Sequence, residues 1–322
     1  MKGRKSSVAA ATAVASLVLA SAAAAVSMTT GTSVSVGDGP DAAGMSIDGT
    51  KLYVANEKTN TVSVVNTATQ TVSATFTVGD GPDGFAFSPD RKTVYVVNDR
   101  SGTISYVNAA TNAVTKTVKV GADPFGLAIS KDGKTLYASN SSDNNVSIVT
   151  VATGKVVKKI AVGASPYDVV VSPSGITLYV ANYDGNSISV IDTRTLKVTK
   201  TIASVGGSPY ALAITPNGKA LYAANDGDAG IVTYVDTSKN VKAKLIPVGS
   251  APYSLAATGD GKYIICPNHG SSSASLIAVA TNKVVATVAL PAGPNAIAVD
   301  KSSRSFWAVF ADTDSAQRVA IQ

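Results

Sequence analysis

Seven prolines divide the chain into near-equal lengths: Pro40, Pro82, Pro124, Pro166, Pro209, Pro252 and Pro294 stand 42 or 43 residues apart. Sixteen residues after each of the first six comes an asparagine: Asn56, Asn98, Asn140, Asn182, Asn225 and Asn268. The seventh such place holds Phe310. A valine–glycine pair precedes several of the prolines, as in Val36-Gly37, Val78-Gly79 and Val120-Gly121. A period of this length marks a repeat architecture, in which each copy is one supersecondary unit that buries its apolar face only against its neighbours.

Each copy carries four strand patterns. The first follows the proline and is small and apolar, as in Gly126-Leu127-Ala128-Ile129. A turn follows that often has glycine second, such as Asp48-Gly49, Asp132-Gly133 or Asn217-Gly218, pairs that suit a two-residue hairpin with positive φ. The second strand is the run Leu52-Tyr53-Val54-Ala55 and its equivalents, rich in aromatic and β-branched residues. The third alternates, as in Thr61-Val62-Ser63-Val64, the period-2 signature of a strand. The fourth is spotted with lysine, as in Val156-Val157-Lys158-Lys159-Ile160. Four strands of about six residues with short loops fill a repeat of this size.

The ends of the pattern choose between an open stack and a ring. A surplus strand, Ser27 to Val36, precedes the first repeat, and the last repeat stops after its third strand, Gln317 to Ile321. Together they make one complete unit. The sequence therefore predicts an all-β fold, a seven-bladed β-propeller of four-stranded antiparallel blades, closed by the N-terminal strand completing the last blade.

The segments Tyr53-Val54-Ala55-Asn56, Tyr95-Val96-Val97-Asn98 and Tyr179-Val180-Ala181-Asn182, with Ser88-Pro89-Asp90 and Val162-Gly163 ahead of Pro166-Tyr167, resemble the repeats of the YVTN family of β-propellers. The resemblance covers nearly all of the chain after residue 25. It implies a seven-bladed, mostly extracytoplasmic protein, a group that includes surface-layer and periplasmic members. It does not imply one activity, because a shared fold hosts many.

Residues 1–25 read as a segment apart from the single domain at 26–322. Met1-Lys2-Gly3-Arg4-Lys5 is basic, an alanine-rich apolar run follows, and Ala23-Ala24-Ala25 offers small residues for cleavage, the order of a secretory signal; a retained anchor is the other reading. The expected location is secreted, periplasmic or cell-surface, with no transmembrane segment in the mature chain. The formal charge is +6, and losing Lys2, Arg4 and Lys5 with the segment leaves +3, too little to argue for a polyanion. Cys266, the single cysteine, follows Ile264-Ile265 in a strand-like run and is expected to be buried.

In such a fold the loops before the first strand and those between the second and third share one face, around the channel mouth. The residues just after the prolines map there: Asp41, Asp83, Phe125, Tyr167, Tyr210, Tyr253 and Asn295. The ring is uneven, with four aromatics in succession opposite two carboxylates and an amide. That composition suits a small molecule, glycan or peptide, a cation included; wedging of the aromatics between blades is the alternative. The second-to-third-strand loops add Glu57, Lys58, Asp99, Arg100, Asp143, Tyr183, Asp184, His269, Asp312 and Asp314, residue types that are usually solvated in turns. Asp226 and Asp228 in one loop are weak candidates for a hard cation. His269, the only histidine, is a weak candidate for a general base, which would make a lyase or lactonase the alternative to a binding protein. No cofactor motif occurs. The fourth-strand lysines, Lys116, Lys119, Lys158, Lys159, Lys197, Lys200, Lys242 and Lys244, protect blade edges from pairing. Their other reading is a basic rim for an anionic cell-wall polymer; nucleic acid is not expected, because the aromatics face the acidic mouth.

Overall fold

The computed structural model describes residues 26–226 and 230–322, so the N-terminal signal-like segment and Asp228 lie outside the described residues. The described chain forms seven four-stranded antiparallel sheets. Strands are lettered A to D from the channel outward; the first blade is A Pro40–Met45, B Lys51–Asn56, C Thr61–Asn66 and D Thr71–Thr77. The last blade is A Pro294–Val299, B Ser305–Phe310, C Ser315–Ile321 and, as its outermost strand, Met28–Ser35 from the start of the domain. These two pair antiparallel from Met28 opposite Ile321 to Ser35 opposite Ser315, with a bulge between Thr30 and Ser33. The ring is closed as the sequence predicts, although the last C strand begins at Ser315 rather than Gln317. Among the described residues no helix is long and apolar enough to cross a membrane.

The core lies between the blades. One cluster joins Leu52 and Val54 of the first blade to Trp307 and Val309 of the last, so the closing interface is packed like the others. Tyr53, 1% exposed, turns its ring toward Phe85 and Phe87 of the second blade. The B and C strands are covered on both faces by neighbouring sheets, so Ser63, Ser105, Ser147 and Ser189 are as buried as the valines and isoleucines between them.

The repeated asparagine accounts for those serines. Asn182 Nδ2 donates to Ser187 Oγ at 3.0 Å and Ser189 Oγ at 2.9 Å, and its Oδ1 accepts the Gly163 N–H at 3.1 Å. Asn56 repeats this with Thr61, Ser63 and Gly37. One carboxamide thus ties the end of strand B to strand C and to the segment before strand A. The glycine is required by this contact, since a Cβ on Gly163 would stand 2.6 Å from Asn182 Cγ. In the last blade the asparagine is Phe310, the glycine is Pro291 and the counterpart of Ser189 is Gln317, so these three are replaced together, while the counterpart of Ser187 remains serine, Ser315.

The A–B turns also depart from expectation. Ser46 N–H donates to Lys51 O and Gly49 N–H to Ser46 O, which closes a four-residue loop with only Gly49 at positive φ, +77°. Such loops are built around a type I turn rather than the two-residue hairpin. Cys266 is buried as expected, and burial pushes its thiol pKa up.

Candidate functional site

In six blades the residue after the proline is the second of strand A, at the channel end that the B–C loops surround; in the sixth, strand A is reduced to Ala256–Ala257 and Tyr253 precedes it. A cavity of about 180 Å³ lies there, lined by Asp41, Asp83, Phe125, Tyr210, Tyr253 and Asn295. Six of the seven ring residues are brought together. The seventh, Tyr167, does not line the cavity; its ring lies between Phe125, 4.3 Å away by centroids, and Tyr183 at 4.7 Å.

The aromatic arc is continuous. Tyr210 stacks on Tyr253 at 5.1 Å and meets Tyr167 at 5.0 Å, and Tyr253 stacks on His269 at 4.7 Å. Offset stacks at such distances hold each ring in place beyond what burial alone contributes. Burial, followed by the charges of Asp83 and Asp41, raises the Tyr210 phenol pKa and keeps it neutral.

The opposite arc joins the seam of the ring. Asn295 Nδ2 of the last blade donates to Asp41 Oδ1 of the first at 2.9 Å, leaving Asn295 Oδ1 buried without a donor. Asp83 Oδ2 is likewise buried and unpartnered. Burial, and then the charge of Asp41, hold the Asp83 carboxyl well above the ordinary carboxylate range.

A second tier lies one residue further along the chain: Ala42, Gly84, Gly126, Asp168, Ala211, Ser254 and Ala296, all on the cavity wall. Seven converging strands leave room for small side chains, and a Cβ on Gly126 would meet the Tyr167 carbonyl oxygen. Asp168 is the exception, and sequence reasoning missed it. Its Oδ1 accepts Val169 N–H at 2.7 Å and its Oδ2 accepts Leu212 N–H of the next blade at 2.8 Å. Burial raises its pKa to about 6 against these two bonds. Aligning the seven repeats would have exposed it as the one charge in a row of small residues.

The loop residues are mostly committed elsewhere. Arg100 pairs with Glu57 and reaches Asp80 at 3.5 Å, Lys58 pairs with Asp38 at 3.2 Å, and Lys159 with Asp143 at 3.0 Å. Asp184 accepts from the Ser165 hydroxyl. Tyr183 Oη donates to Asp226 Oδ2 at 2.8 Å, and its pKa is raised to about 12 by desolvation and then by this bond. Asp226 therefore braces the aromatic arc, and no group of three or more potential metal ligands occurs among the described residues. Nδ1 of His269 is buried with no partner, and among the described residues no carboxylate is hydrogen-bonded to the imidazole.

Three strand D lysines bridge to the C–D turn of the next blade: Lys158 to Leu196 O at 2.9 Å, Lys200 to Lys239 O at 2.9 Å and Lys244 to Asn282 O at 2.7 Å. Lys116, at the corresponding place in the second blade, stands 5.4 Å over the Tyr106 ring. These amines act between blades as well as along exposed edges.

A family model described as a YNCE-like beta-propeller matches residues 5–315. No match was found among curated proteins. Among solved structures, a chain of the Kuenenia stuttgartiensis hydrazine synthase superposes with a TM-score of 0.81 at 22% sequence identity, over 88% of this chain and 95% of that one. At that identity the likeness is one of fold, and it carries no activity across.

Proposed function

The chain belongs to the YNCE-like β-propeller family, and on that premise we propose that it is an exported binding module, secreted, periplasmic or at the cell surface, whose channel mouth takes a small ligand. The observation that carries this reading is the pair of buried acceptors without donors, Asp83 Oδ2 and Asn295 Oδ1, on residues that line one cavity together with stacked aromatic rings. A buried polar atom left unpaired costs about 1–3 kcal/mol, a cost that a bound ligand relieves. The basic, then apolar, then small-residue order of residues 1–25 supports export.

Thermal melting of the protein against sugars, short peptides, amines, lactones and divalent ions tests the reading. A ligand at a hundredfold excess over Kd stabilises by about 2.7 kcal/mol. The shift is expected to vanish in Tyr210→Ala and Asp83→Ala and to survive in His269→Ala. The alternative, a lyase or lactonase with His269 as general base, draws support from the imidazole extending the aromatic run at the mouth, 4.7 Å from Tyr253. It requires the reverse result: turnover of a lactone that His269→Ala abolishes without loss of stability.

A further inference from the structure

We propose that the channel ligand is a small organic cation, a primary or secondary ammonium on a short apolar body. This rests on the reading of the channel as a ligand site and names the chemistry that it selects.

The polar arc offers acceptors. Asn295 has its amide nitrogen committed to Asp41, which fixes its oxygen as the free end, and Asp83 presents an unpartnered carboxyl oxygen beside it. No lysine or arginine lines the cavity, and Arg100 at the rim is tied to Glu57. An anionic ligand would meet like charge with nothing to offset it. A cation would find hydrogen-bond acceptors on one side, and its apolar body would pack on the other against the aromatic wall of Phe125, Tyr210 and Tyr253. The cavity, at about 180 Å³, is smaller than the roughly 300–1,000 Å³ of drug-sized pockets, so its occupant is compact.

Binding also carries a proton signature. Asp83 faces Asp41 on the neighbouring inner strand, Glu57 and Asp99 in the adjacent B–C loops and the neutral Tyr210 across the channel, surroundings that hold a proton on the empty site. An ammonium favours the ionised carboxylate, so its entry releases that proton to buffer.

Isothermal titration of the full-length protein tests this with 2-phenylethylamine, its uncharged isostere 2-phenylethanol and methyl β-glucoside, in two buffers of different ionisation heat. The expected result is amine binding at least ~10-fold tighter than alcohol, with an apparent heat that changes between buffers in the sense of proton release. Asp83→Asn, which keeps shape and removes the carboxylate, is expected to weaken amine binding ~10- to 100-fold and leave the alcohol unchanged. Equal affinity for amine and alcohol, or binding of the glucoside without the amine, overturns the cation and leaves the channel site standing. Binding of none of the three overturns both. If Asp83→Asn does not fold, the isostere comparison and the buffer dependence in the unmodified protein still decide.

Discussion

The backbone N–H of Gly39 donates to a carboxylate oxygen of Asp314 at 2.9 Å, across 275 positions of sequence. Asn60 makes the same bond to Gly81 at 3.0 Å, Asn144 to Ser165 at 2.8 Å and Asn186 to Ser208 at 2.7 Å, each reaching from one B–C loop to the segment before the next blade. All four acceptors sit at positive φ, between +45° and +58°, a conformation that Asn and Asp tolerate better than most residues. Asp314 therefore does at the seam what three asparagines do within the chain. Glycine at 314 keeps the backbone conformation and deletes only the acceptor, so Asp314→Gly is expected to lower stability by about 1–2 kcal/mol in urea unfolding. An unchanged midpoint would show that the seam is held without this bond.

The strand Met28–Ser35 has a larger effect. Without it the last blade keeps three strands, and Ala316 and Val319, both fully buried, lose the sheet edge paired with their strand. Removing residues 28–36 is expected to lower the melting temperature by on the order of 10 °C or more, because several kcal/mol of packing and pairing are lost at once. A truncated protein melting within a few degrees of the parent would speak against closure by this strand.

Asn182 and Gly163 form a second, local test. Asn182→Ala strands two buried hydroxyls and a backbone N–H and is expected to cost about 2–4 kcal/mol. Gly163→Ala drives a Cβ into the carboxamide and is expected to cost a comparable amount alone, but less once Asn182 is alanine, which removes the contacts to Cγ and Nδ2 at 2.6 and 2.7 Å and keeps the one to Cβ at 2.8 Å. A double-mutant cycle measures this coupling, and additivity of the two costs would refute the mutual fit. The joint replacement by Phe310, Pro291 and Gln317 in the last blade is the same dependence written in the sequence.

What the sequence made legible was whatever recurs. Seven prolines, six of them with an asparagine and a glycine at fixed offsets, locate every blade, and the surplus strand beside the truncated repeat reveals the closure. What recurs only as a difference was harder to see. Asp41 and Asp83 stood out because their register is otherwise aromatic or amide. Asp168 did not, because one acid inside an apolar strand looks like a surface residue until its row of small residues is aligned. Side-chain direction was out of reach: that Tyr167 leaves the cavity wall to stack on Tyr183, and that Ser63 is buried, depends on neighbouring sheets that no single repeat contains.

Asp168 gives the pH dependence a definite sign. An unfolded aspartate titrates near 3.8 and this one at about 6, raised by burial. Between those values the native state holds a proton that the unfolded chain has released. The stability brought by the protonated carboxyl is complete below about pH 4 and lost as pH rises through about 6. Alanine occupies the same register in three other blades, as Ala42, Ala211 and Ala296, so Asp168→Ala fits without crowding. It removes the acceptors for Val169 and Leu212 at every pH, a constant cost, and removes the titration, a pH-dependent one. The difference in unfolding free energy between parent and variant is therefore expected to be largest near pH 4 and to shrink by about 2 kcal/mol by pH 7, while the carboxylates common to both proteins cancel. Urea titrations at half-unit pH steps measure it. A difference that stays flat, or grows toward neutral pH, would mean that the channel wall leaves Asp168 as well solvated as an ordinary aspartate.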